Sequence, residues 1–341
     1  MKKKQTKFFD KFFKDKKILV TGGTGSFGKA FVERALSYKV KKIVILSRDE
    51  LKQFEMRNLF KDNRLEFYIG DVRDKSSIIH AFNSIDCVFH AAALKQVPSS
   101  EFFPTEAMKT NTIGTENVIE CCLKKKVKNF VLLSTDKAVY PINAMGYSKA
   151  LAEKIVIAKS RVIPGNRLKM TITRYGNVIG SRGSVIPHFI NQAKQNKPIT
   201  ITDNRMTRFF MTLDDALDLI SYAFAKGEHG SVYVKNCDVV KIIDVAKVIK
   251  NKLNSSSKIV SIGLRHGEKI YETLISENEM IRVKEKENFY QIPQNTKSLN
   301  YEIYFTKGRK QKKYQNYSSN TEMPISRNKI ENVLSKIKNL F

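Results

Sequence analysis

The chain has 341 residues, of which 42% are hydrophobic, and a formal net charge of +28 from 61 Lys plus Arg against 33 Asp plus Glu. That length suits one large α/β domain carrying a smaller lobe. No apolar run reaches the ~18 residues of a membrane-spanning helix, and the lysines are dispersed without a nucleic-acid-binding motif, so neither stable membrane insertion nor a nucleic-acid partner is expected. Cys87, Cys121, Cys122 and Cys237 have neither CxxC spacing nor histidines at metal-ligand spacing. They read as reduced thiols of a cytoplasmic protein, and no metal site is assigned.

Residues 1–15 form a basic extension. Charges interrupt its apolar content too often for a secretory signal, while Phe8, Phe9, Phe12 and Phe13 give it an amphipathic face that predicts a docked or frayed segment. From residue 16 short apolar runs alternate with helical patterns. "KILVTGG", "KKIVILS", "LEFYIGD", "IDCVFHAAA", "KNFVLLST" and "MTITRYGNV" read as six strands. Phe27 to Tyr38 and the stretch from Asp49 read as crossover helices. This rhythm predicts a doubly wound parallel sheet of Rossmann type, with ligands at the carboxyl ends of its strands. Residues 16–180 plus 207–237 are expected to form the dinucleotide domain. The rhythm loosens at 181–206 and 238–305, which are expected to form a substrate-binding lobe, and 306–341 is a polar, lysine-rich tail ending in a short helix from about Asn328. Thr212 or Asp214 is the expected cap of the helix that follows "MTRFFM".

"VTGGTGSFGKA" places Gly22, Gly25 and Gly28 between the first strand and its helix. The first glycine permits the tight turn, the second lets backbone approach a pyrophosphate, and the third lets helix pack on strand. Thr21, Ser26 and Phe27 belong to the same candidate site. At the end of the second strand stand Ser47 and Arg48, with Asp49 beyond them. A guanidinium matches a 2′-phosphate with paired donors, so NADP is expected over NAD. Asp71 and Val72 follow the third strand and are placed beside the adenine. Ala91, Ala92 and Ala93 follow the fourth and are small enough for close cofactor approach. Lys95 comes next, where a cation helps to hold an anionic ligand.

"LLSTDKAVYPINAMGYSKA" leaves the fifth strand through Thr135, Asp136 and Lys137. Met145 and Lys149, four apart, share a helix face. Lys149 is expected at the nicotinamide ribose. A tyrosine at 145 would ordinarily take a carbinol proton during hydride transfer. Tyr147 cannot replace it, because two helical residues turn by roughly 200°. Asp136 and Lys137 put an acid beside an amine, and a lysine desolvated there is expected to give up its proton readily and act as a base.

In chain order, "TGGTGSFG", "SRDE", "GDVRD", "HAAALKQVP", "STDKAVYPINAMG", "RYGNVIGSRGSVIP", "MTRFFMTLDDA" and "RHGEKIYE" resemble the inverting UDP-N-acetylglucosamine 4,6-dehydratases of the extended short-chain dehydrogenase/reductase superfamily. Methionine at 145 resembles the 4,6-dehydratase/5-epimerase subgroup of capsule and O-antigen synthesis, as do "LNYEIYFTKG" and "SSNT" in the tail; beyond Thr321 the chain departs from that pattern. The resemblance implies a redox-neutral cycle of oxidation at C4, loss of water across C5 and C6, and reduction at C6, with C5 protonated on the opposite face. UDP-N-acetylglucosamine is the implied substrate, a UDP-2-acetamido-2,6-dideoxy-L-arabino-4-hexulose the product, and a homo-oligomer (dimer or hexamer) the assembly. It also implies Lys137 as the base at C5, Asp136 as the acid, and Thr135 and Asn177 at the sugar, with Val178 at the cofactor. Ser181, Arg182 and the segment to Val185 would line the cleft, Arg208 and Arg265 would meet the diphosphate, and Glu268 the uridine ribose. Two other readings stand beside it: a UDP-sugar 4-epimerase of the same superfamily, and a nucleotide-sugar-binding protein without catalysis.

Overall fold

The computed structural model describes residues 2–180, 184–286, 288–294, 314–337 and 340–341, with side chains described from residue 8 onward. Strands β1 (Lys17–Thr21), β2 (Lys42–Ser47), β3 (Leu65–Ile69), β4 (Cys87–His90), β5 (Asn129–Leu133) and β6 (Lys169–Arg174) build the large sheet. A short β7 (Asn177–Val178), β8 (Ile199–Ile201) and β9 (Thr207–Met211) lie outside it, and β10 (Val232–Lys235) rejoins it. Then come β11 (Asp238–Lys241), β12 (Ile259–Ser261), β13 (Thr273–Ile275), β14 (Lys284–Lys286), β15 (Phe289–Ile292) and β16 (Tyr317–Ser318). The nine-stranded order is β14-β15-β10-β6-β5-β4-β1-β2-β3, with β14 and β15 antiparallel at one edge and the rest parallel. The order reverses between β1 and β4, which opens a crevice at their carboxyl ends.

Central strands such as Ile18–Thr21 and Cys87–His90 are buried on both faces, as parallel strands covered by helices must be. Alternate residues feed two cores: Leu19, Val88, Phe130 and Val156 on one side, and Ile18, Phe31, Phe89 and Phe224 on the other. A third core joins Ile186, Phe189, Val245, Ile249, Ile330 and Leu334 in the lobe. The N-terminal helix Lys2–Phe13 is docked: Phe9 and Phe13 are buried, and Phe13 stacks on Tyr38 with ring centroids 5.2 Å apart.

Two expectations change, and one open alternative is decided. "MTITRYGNV" is two strands, because the chain turns at Tyr175–Gly176, where a Cβ on Gly176 would come within 2.5 Å of Phe209 Cβ; β7 joins the separate sheet β11-β9-β7. Residues 207–211, placed in the dinucleotide domain, belong to that small sheet, whereas 284–292, placed in the lobe, extend the large one. Thr212 caps the helix Leu213–Lys226 in a reciprocal box with Asp215, and Asp214 does not. The final helix is Arg327–Ser335. "SSNT" lies at β16, while "LNYEIYFTKG" falls outside the described residues.

Candidate active site

The glycine-rich turn is built from backbone contacts that side chains would obstruct. Gly22 has φ +64°, donates to the Leu46 carbonyl at 2.8 Å, and a Cβ there would sit 2.7 Å from Ala92 Cα. A Cβ on Gly28 would lie 2.5 Å from the Gly22 oxygen, so this glycine sets the approach of helix to strand. The helix Ser26–Leu36 starts at Gly25 without a side-chain cap, leaving its first N–H groups for a ligand. Thr21 is fully buried beneath this surface and lines neither of the two cavities that flank it. Its hydroxyl contacts His90 Nδ1 at 2.7 Å and accepts from the Ala92 N–H at 3.3 Å. Burial drops His90 to about 3, so it stays neutral.

Two cavities flank the turn and share Gly22, Gly25, Ser26, Ala92, Ala93 and Lys95. One, of about 490 Å³, is lined also by Ser47, Arg48, Asp71 and Val72. Arg48 Nη1 lies 3.4 Å from Asp71 Oδ2, but Asp71 is already engaged by the Arg73 side chain at 2.6 and 2.9 Å and by the Arg73 N–H at 3.0 Å. Burial works against this carboxylate's charge, yet the Arg73 contacts outweigh it and hold Asp71 below the usual carboxylate range. The other cavity, of about 430 Å³, is lined by Phe27, Gly28, Ala91, Thr135, Lys137, Met145, Lys149, Asn177 and Val178. Met145 is 4% exposed and faces it; Tyr147 is 55% exposed and lines neither. Asn143 caps the helix Ala144–Val162, accepting from the Gly146 N–H at 2.8 Å.

Lys149 is buried and donates to the Leu133 carbonyl at 2.5 Å. Burial pushes it down to about 8, with Glu153 acting the other way. Glu153 accepts from Arg174 at 2.6 and 3.1 Å and from the Ser134 hydroxyl, while Arg174 also grips Glu279 at 3.0 Å through both terminal nitrogens. This buried triad ties the lysine-bearing helix to residues 276–280.

Lys137 differs from the expectation. Its Nζ lies 3.0 Å from Asp136 Oδ1 and 3.3 Å from Glu272 Oε1. Burial favours deprotonation, but the two carboxylates outweigh it and raise this lysine above its ordinary value. The resting pair is therefore an ammonium between carboxylates and not a ready base. Thr135 donates to Asp136 Oδ1 at 2.8 Å.

A third cavity, of about 680 Å³, shares Lys137, Asn177 and Ser184 with the second and is lined also by Val185, Arg208, Arg265, Glu268 and Glu272. Arg265 is exposed along its wall. Arg208, expected to meet a diphosphate, is buried and donates to the carbonyls of Thr207, Ile270 and Lys269 at 2.7, 2.9 and 2.7 Å. Much of its guanidinium is committed to holding the 265–272 loop. Glu268 accepts from Thr202 at 3.2 Å. Ser181 and Arg182 lie outside the described residues. The sequence reading missed two wall residues, Tyr175 and Glu272. Tyr175 stacks on Phe27 at 4.7 Å and Glu272 reaches Lys137, while Ser184, within the expected 181–185 segment, has a buried hydroxyl with no hydrogen-bond partner among the described residues. "RHGEKIYE" contains Glu272, but no spacing in the sequence places it beside Lys137.

A family model described as "Polysaccharide biosynthesis protein" matches residues 18–294. A protein of Rickettsia bellii named UDP-glucose 4-epimerase is 51% identical over 302 residues, covering 87% of this chain and 89% of its own. The solved structure of Pen from Bacillus thuringiensis is 35% identical, with a TM-score of 0.88 over 96% of this chain and 99% of that one. A dTDP-glucose 4,6-dehydratase from Streptomyces venezuelae, solved with NAD bound, shares the fold at 22% identity and a TM-score of 0.68, covering 74% of this chain and 86% of that one. With its Rossmann-like sheet, glycine turn and three-part cleft, the chain belongs to the polysaccharide biosynthesis protein family.

Proposed function

We propose that the chain is a UDP-N-acetylglucosamine 4,6-dehydratase inverting at C5, giving a UDP-2-acetamido-2,6-dideoxy-L-arabino-4-hexulose for surface polysaccharide synthesis. The observation that carries this reading is the Asp136–Lys137 ion pair where the second and third cavities meet, with Met145 in place of a phenol. Dehydration needs an acid and a base beside C5, and a plain epimerase does not.

A dinucleotide fits the residues present. The uncapped helix start at Gly25 suits a pyrophosphate, Arg48 a 2′-phosphate, and Lys149 a ribose. Bound NADP supplies reversible oxidation and reduction of the sugar. The protein's own groups move the protons. One proton shift along the 3.0 Å Lys137–Asp136 bond turns the ion pair into an amine and a carboxylic acid. The Lys137 amine takes the C5 proton, and Asp136 protonates the departing C6 hydroxyl, which leaves as water. Asn177, Val185, Arg265 and Glu268 line the sugar-nucleotide side, with Arg208 bracing the loop behind them. Exposed Phe102, Phe103, Met108 and Leu151 support a homo-oligomer, which light scattering of the purified chain tests.

A second reading has an observation of its own: relatives about half identical to this chain are named UDP-glucose 4-epimerase. Incubation with UDP-N-acetylglucosamine and NMR of the product separates the two. A new C6 methyl beside a 4-keto group supports dehydration; a C4 epimer with its C6 hydroxymethyl intact overturns it.

A further inference from the structure

Lys137 has two carboxylates beside it, and the proposed chemistry uses only one. Glu272 Oε1 is 3.3 Å from Nζ, and the Glu272 side chain is 3% exposed, as against 0% for Asp136. Each carboxylate has a buried oxygen without a hydrogen-bond partner among the described residues, Glu272 Oε2 and Asp136 Oδ2. A buried acceptor left unpaired is costly, and nearby positive charge offsets that cost. The charged groups facing the cluster are Lys269, whose Nζ is 3.9 Å from Glu272 Oε2, and Arg208; Tyr175 and Cys237 lie on the Asp136 side.

Glu272 is held by the far end of the chain. Its N–H donates to Ser319 Oγ at 3.0 Å, and the Ser319 N–H donates back to its carbonyl at 2.8 Å. Ser319 Oγ also donates to the Thr207 carbonyl at 3.1 Å. Next to it Thr273 pairs with Ser318 across β13 and β16.

We propose that Glu272 is a positioning residue for Lys137. It fixes Nζ against Asp136 at the passage between the two cavities, and the C-terminal residues 317–319 fix Glu272 in turn. The tail segment is thereby part of the active site. This inference rests on the reading of Lys137 as the proton-carrying residue.

The test uses the purified full chain without sugar. Trace acetic anhydride labels lysines across a pH series, and mass spectrometry follows the Lys137 peptide, which the cavities make reachable. In Glu272→Gln one of the two opposing charges is gone, so the Lys137 profile moves down by about one pH unit, or about tenfold faster labelling at fixed pH. Glu272→Asp restores most of the wild-type profile. Ser319→Ala, which removes one of the two hydrogen bonds holding the backbone of Glu272, gives a smaller shift in the same direction. Exposed lysines in the same digest stay unchanged. An unshifted Lys137 profile in Glu272→Gln overturns the proposal; if that variant does not fold, an unshifted profile in Ser319→Ala does so. Because no sugar is present, the outcome is independent of whether the wild type dehydrates or epimerises.

Discussion

The two sides of the cleft treat a buried lysine in opposite ways. On the dinucleotide side Lys149 has a carbonyl oxygen as its hydrogen-bond acceptor, and burial brings it down to about 8. On the sugar side Lys137 sits between Asp136 and Glu272 and is raised. Both lie at the carboxyl end of β5. Burial alone does not decide the charge of such a group; the partners placed around it do. Under the proposed function the lowered lysine would hold a ribose, and the raised one would move protons within its ion pair.

The largest expected effect comes from cutting the link between the sides. Arg174→Ala leaves the buried Glu153 and the part-buried Glu279 without their cation, and should cost about 3–5 kcal/mol in urea unfolding. The link also predicts acid sensitivity. Desolvation opposes the Glu279 charge, but Arg174 holds this carboxylate down at about 2, so the stability it contributes is present above its usual 4.5 and is lost as pH falls towards 2.

Next, Lys137→Ala should lower 4-keto product formation about 10²- to 10⁴-fold while NADP titration by fluorescence stays as in wild type. Equal loss of cofactor binding would erase the distinction between the two sides. Lys149→Met should do the reverse for stability. Between about 8 and 10.5 the unfolded chain holds a proton that the folded one has released, so wild-type stability rises with pH there. The variant should lack that rise and unfold at higher denaturant at pH 7, by about 1–3 kcal/mol, while losing activity. Arg48→Ala should weaken NADP about tenfold and leave NAD nearly unchanged, as calorimetry would show. Smallest of all, Tyr147→Phe should change turnover less than about twofold, since the phenol is exposed outside the cavities.

The dinucleotide side was legible because its chemistry is local. The glycine turn, its strand and its helix are adjacent in the chain, and a 3.6-residue period places Met145 and Lys149 on one face. Tyr147 was excluded on the same ground. The sugar side is built from distant segments. Arg174 meets Glu279 105 residues away, and Thr207 meets Ser319 112 residues away. No local pattern reports such pairings, so the bracing role of Arg208, the place of Glu272 and the raised Lys137 emerged only from the fold. Thr21 is a further case: it ends the buried first strand, and its hydroxyl turns inward to His90 in a contact no local pattern reports.

The most direct test of the account is wild-type turnover of UDP-N-acetylglucosamine in D₂O, followed by NMR at C5. Proton removal at C5 by Lys137 and protonation of C5 from the opposite face predict a product with deuterium at C5 and a new C6 methyl, and no C5 exchange in Lys137→Ala. Turnover that leaves C5 fully protiated would contradict it.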